Sequence, residues 1–123
     1  MEQPTLFTAR RQGGAITGAQ LVLYALGEFQ ARGRALVDRE LPLDRLRGAL
    51  RRAAEAYGVE ELGDEDAATL FESVGARVRR VPPFVAKHPY RVTVPAHAAE
   101  QARNFYDEQQ RANAAEQSST KNG

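Results

Sequence analysis

Five cations, Arg77, Arg79, Arg80, Lys87 and Arg91, fall between Ser73 and Ala99 without a single acid among them. Grouped guanidinium and ammonium ions of this kind suit the binding of a phosphate backbone. Fifteen arginines against two lysines point the same way, because the planar guanidinium fork grips phosphate oxygens in pairs; a GC-rich coding bias would produce the same excess. The whole chain has 17 Lys and Arg against 16 Asp and Glu, a formal net charge of +1. The small total therefore hides a separation of sign. A second row of cations, Arg45, Arg47, Arg51 and Arg52, precedes the acidic run from Glu60 to Asp66.

Other chemistry finds little material. The chain has no cysteine, and its two histidines, His88 and His97, stand nine residues apart with no carboxylate between them, which suits neither a metal pair nor a nucleophilic triad. Asp64, Glu65 and Asp66 are adjacent, so on a helix they cannot share one face, and the helix dipole accounts for acids in a first turn. Gly13-Gly14 lacks the following Gly-Lys-Ser/Thr of a phosphate loop. The expectation is a non-enzyme without cofactor or metal. No apolar run reaches the length of a membrane span, and Met1-Glu2-Gln3-Pro4 does not begin a secretory signal, which implies a soluble, cytoplasmic protein.

The elements that must position these residues follow from periodicity. Residues 1–15 show no period and read as a flexible arm. Thr17 and Gln20 have the spacing of a capping box, and Val22, Ala25, Leu26 and Phe29 form a helical stripe that Gly33 ends. Ala35-Leu36-Val37 suits a single β-bridge. Pro42 fits the first turn of a second helix, with Leu43, Leu46, Leu50, Ala53 and Tyr57 on one face and the four arginines spread over the rest until Gly58. Asp64 is placed to cap a third helix whose stripe is Ala67, Leu70, Phe71 and Val74, stopped by Gly75. The period then changes to two: Ala76 and Val78 alternate with Arg77 and Arg79, and Tyr90, Val92 and Val94 alternate with Arg91 and Thr93. This predicts a hairpin with an apolar inner and a basic outer face. Residues 96–115 favour a last helix with Ala98, Ala102 and Phe105 inward, and 116–123 read as a disordered tail.

Helix, short strand, two helices and a basic hairpin, over residues 16–95, make an α+β chain that resembles the winged helix-turn-helix superfamily. The resemblance implies a core of three helices with a small β-hairpin wing, here flanked by the N-terminal arm and an extra C-terminal helix. It also implies DNA binding, as an accessory or regulatory factor in replication or transcription. The third helix would begin with Asp64-Glu65-Asp66, three acids aimed at a groove lined by phosphates. Contact is therefore expected through the wing residues Arg77, Arg79, Arg80, Lys87 and Arg91, with Arg45, Arg47, Arg51 and Arg52 as a second row, and of low sequence specificity. Separately, Gln3, Leu6 and Phe7 in Gln3-Pro4-Thr5-Leu6-Phe7 resemble the bacterial sliding-clamp-binding peptide, which implies a clamp, or another replication or transcription protein, as partner. The alternative is a protein-interaction module or an inhibitor of a nucleic-acid enzyme, docking through the acidic third helix and the arm. The alanine face of the last helix would either cover the first helix or pair with a second copy in a homodimer.

Overall fold

The computed structural model describes residues 10–11, 14–82, 84 and 89–122, with side chains placed over 16–82, 84 and 89–114. Among the described residues the chain is α+β: four helices, a three-stranded antiparallel sheet and a minimal N-terminal hairpin. The hairpin pairs β1 (Arg10–Arg11) with β2 (Gly14–Ala15). The expected flexible arm thus contains paired backbone at its end, in strands too short to leave a period in the sequence.

Helix α1 (Gly18–Ala31) starts with the capping box: the Gln20 N–H donates to Thr17 Oγ1 (3.1 Å) and the Thr17 N–H to Gln20 Oε1 (3.0 Å). Its expected stripe is only part of what it buries, since every residue from Leu21 to Phe29 is buried. Three helices enclose it: α2 (Leu43–Tyr57), α3 (Asp64–Ser73) and α4 (Ala96–Asn122) all pack against α1. Phe71, at 0% exposure, and Leu50 sit among the helices, as their spacing predicts.

Helix α2 ends on Gly58 in the left-handed region (φ +67°), and Gly75 follows α3 with φ +104°. Two helix starts differ from expectation. Gly63, not Asp64, is the N-cap of α3, leaving Asp64 as its first residue. Pro42 precedes α2 as its N-cap and is the last residue of a strand, β3 (Glu40–Pro42), where no strand was expected. Proline is tolerated there because β3 is an edge strand.

The sheet order is β3-β5-β4, with β4 (Arg77–Arg80) and β5 (Tyr90–Thr93) forming the predicted hairpin. Leu41, Val92 and Val78 stand side by side on its inner face. The run at Ala35–Val37 supplies only one bridge, parallel, from Val37 to Val94.

The alanine face of α4 (Ala98, Ala99, Ala102) is fully buried in the domain's own core. Tyr24 meets Tyr57 and Tyr106 edge-on, with ring centroids 5.3 and 5.0 Å away, and the Tyr57 hydroxyl donates to Gln109 (2.6 Å). The α4 backbone runs to Asn122, past the expected end at residue 115, so residues 116–122 of the anticipated tail are helical.

The tightest approach lies at Gly27, where a Cβ would stand 2.5 Å from the Ala102 carbonyl oxygen and closer still to the Tyr106 Cβ. Neither group can rotate away. Gly27→Ala should therefore lower stability by about 1–3 kcal/mol in denaturant unfolding, although alanine's helix propensity alone would favour it by about 1 kcal/mol. Gly48→Ala on α2, where the new methyl meets only the end of the Arg52 side chain, should show that gain instead.

Candidate nucleic-acid interface

Cross-strand register sorts the hairpin's cations by face. Arg77, Thr93 and Glu40 share one row of the sheet, and Arg79, Arg91 and Pro42 the next. Because the buried Val92 and Leu41 point to the core, these rows form the outer face. Arg79 stands directly opposite Arg91, an arrangement of like charges that disfavours the sheet by itself. One acid moderates it. Arg79 donates two hydrogen bonds to Glu40, Nε to Oε2 at 3.0 Å and Nη2 to Oε1 at 2.9 Å. Those bonds hold the Glu40 carboxyl below its usual pKa and raise that of Arg79. Arg77 and Arg91 have no ion pair among the described residues.

Arg80 departs from expectation. It pairs with Tyr90 across the ladder, on the inner-face side, and its guanidinium lies 5.5 Å from the Tyr90 ring centroid. Arg80 donates to Glu65 (2.8 Å), as does the Tyr90 hydroxyl (2.6 Å). The Tyr90 bond, then the Arg80 bond, lower the Glu65 pKa, and the same carboxylate raises that of Tyr90. Arg80 thus ties the hairpin to α3 and is absent from the outer face.

The second row does not assemble either. Arg47 donates to Glu61 (2.8 Å), the Leu62 carbonyl (2.7 Å) and Asp64 (2.5 Å), closing the turn between α2 and α3. Burial alone would lower its pKa, but the two carboxylates raise it. Arg51 reaches Glu61 at 3.5 Å. Arg52 turns the opposite way, donating to both carboxylate oxygens of Glu28 on α1 at 2.7 and 3.0 Å. Arg45 is exposed, with no ion pair among the described residues. A cavity of about 130 Å³ beside Arg47 is lined by Leu43, Asp44, Asp64, Pro89 and Tyr90.

No family model, curated protein or solved structure matches this chain. Lys87 and His88 lie outside the described residues, as do Gln3, Leu6 and Phe7 of the N-terminal motif, and His97 is exposed at the start of α4. Among the described residues, no helix is long and apolar enough to cross a membrane. No group of His, Asp and Glu there could hold a metal ion.

Sequence reasoning missed two acids. Glu40 is the first residue of a strand that proline concealed. Glu28 had a readable signal, a lone carboxylate inside the apolar run of α1; it is 7% exposed and also accepts from Arg32 Nε at 2.5 Å. Burial opposes its ionisation, yet the hydrogen bonds from Arg52 and Arg32 outweigh that and hold its pKa below 4.5. A carboxyl with a depressed folded-state pKa adds stability above its unfolded value, and that stability is lost as pH falls through the folded one. Urea unfolding of the wild type should therefore weaken below about pH 4.5. In Glu28→Gln that part of the pH dependence should disappear, with lower stability at pH 7.

Proposed function

We propose that this chain is a small winged helix-turn-helix protein that holds duplex DNA by its phosphates, as an accessory or regulatory factor in replication or transcription. The element order from α1 to β5 and the sheet order β3-β5-β4 support the fold reading. One observation carries the functional reading: Arg79 directly opposite Arg91, with Arg77 one row on, all on the sheet face turned away from the core. Repulsion built into this outward face is relieved when phosphates lie between the charges. Arg45 is a further contact.

Helix α3 takes no part in base reading. Its first turn is acidic, and Asp64 and Glu65 are tied to Arg47 and Arg80. The same ties argue against the interaction-module alternative, because they neutralise much of the acidic patch it requires.

Backbone contact makes binding salt-dependent, with a slope of about 0.9 per neutralised phosphate. In a gel-retardation series on random-sequence duplex, Arg77→Glu with Arg91→Glu should abolish most binding and lower the salt slope by about 2. Glu40→Gln, which releases Arg79, should tighten binding. Arg47→Ala should reduce stability and leave DNA affinity unchanged. Unaltered binding by the Arg77/Arg91 double variant would rule out this surface.

A further inference from the structure

Phe84 is 89% exposed, the most solvent-covered large apolar side chain among the described residues. Its place is specific. The Val81 N–H donates to the Pro89 carbonyl (2.6 Å) at the far end of the β4–β5 ladder, and Phe84 belongs to the connection beyond that rung. Phe84 thus falls, along the chain, between the two strands whose outer face bears Arg77, Arg79 and Arg91. Nothing in the chain from Val74 to Ala98 carries negative charge, and the acids that reach this hairpin, Glu40 and Glu65, are each bonded to one of its arginines.

We propose that Phe84 is a wedge that inserts between bases of a DNA duplex at a weakened step, while the arginines behind it hold the flanking phosphates. This rests on the phosphate-binding reading of the sheet. An apolar ring gains by leaving water for the base stack, and opening a step is easiest where a base is already mismatched or unpaired. The placement of charge favours DNA over a lipid surface. Arg79 and Arg91 form one row and Arg77 belongs to the next, about 6–7 Å further from the tip at the rise of a strand. Cations at two depths suit a backbone running along the hairpin better than one plane of headgroups.

The experiment uses the full chain and two duplexes that differ by one unpaired, bulged base. The protein has no tryptophan, so Phe84→Trp introduces one indole whose emission is read apart from that of the tyrosines. Wild type should prefer the bulged duplex. Phe84→Ala should bind that duplex about tenfold more weakly, with an unchanged salt slope and little loss on paired DNA. The Phe84→Trp emission should be quenched on the bulged duplex. Wild-type affinity in Phe84→Ala together with unquenched emission in Phe84→Trp would overturn the wedge and leave the phosphate surface standing. Absence of DNA binding by the wild type would remove both, and an emission change with anionic phosphatidylserine vesicles but not with DNA would assign the ring to a membrane and overturn the proposal.

Discussion

Gly27 sets the separation of α1 and α4, and the rest of the domain follows from that distance. With no Cβ in the way, the Ala102 carbonyl and the Tyr106 Cβ lie against the α1 backbone, and the small side chains of Ala98, Ala99 and Ala102 close the remaining space. The consequence travels along the chain. Helix α4 follows β5 almost directly, with Val94 and Pro95 between them, so the seat of α4 fixes the end of the sheet's central strand. Val94 is fully buried, bridges to Val37, and its carbonyl accepts from the Asp38 N–H at 2.8 Å. The register of β5 then decides which arginines face outward. A close contact in the core thereby orients the basic surface.

Several of the opposite charges among the described residues are used internally. Glu28 gathers Arg32 and Arg52, Arg47 gathers Glu61 and Asp64, and Glu65 gathers Arg80 with Tyr90. The first differs in kind from the others. Glu28 is buried, so removing its partners would leave a desolvated charge, whereas the exposed pairs each contribute about 0–1 kcal/mol. Arg47 gains from geometry, since it bonds a backbone carbonyl as well as two carboxylates and so orders the turn between α2 and α3.

Local signals were legible in the sequence; long-range ones were not. The Thr17 capping box, the glycine stops at Gly58 and Gly75, the period-two hairpin and the burial of Phe71 and Leu50 all arise within a few residues of chain, where spacing maps directly onto geometry. Periodicity reveals one apolar face at a time, so it understated α1, which is enclosed by partners from distant segments. Strand β3 escaped notice because Pro42 ends it and immediately precedes a helix. For the candidate site, alternation placed Arg77, Arg79 and Arg91 outward. Arg80 follows Arg79 directly and so falls on the other face. The partners of Arg47 and Arg52, 14 and 24 residues away respectively, depend on how helices cross, which spacing along one helix does not contain.

Glu40, the acid in the two outer-face rows, has a physical role in the proposed reading. Without a ligand, Glu40 accepts both hydrogen bonds from Arg79 and lowers the repulsion between Arg79 and Arg91. It does for the free protein what a phosphate would do in a complex, presenting two oxygens to a guanidinium fork. Because the pair is exposed on both sides, water and salt screen it, and its loss costs little. A phosphate that displaces Glu40 meets Arg91 and Arg77 as well as Arg79, so exchange favours the polyanion whenever the backbone brings several phosphates at once. In that reading Glu40 moderates the repulsion on the free basic face and gives way to a ligand of higher charge.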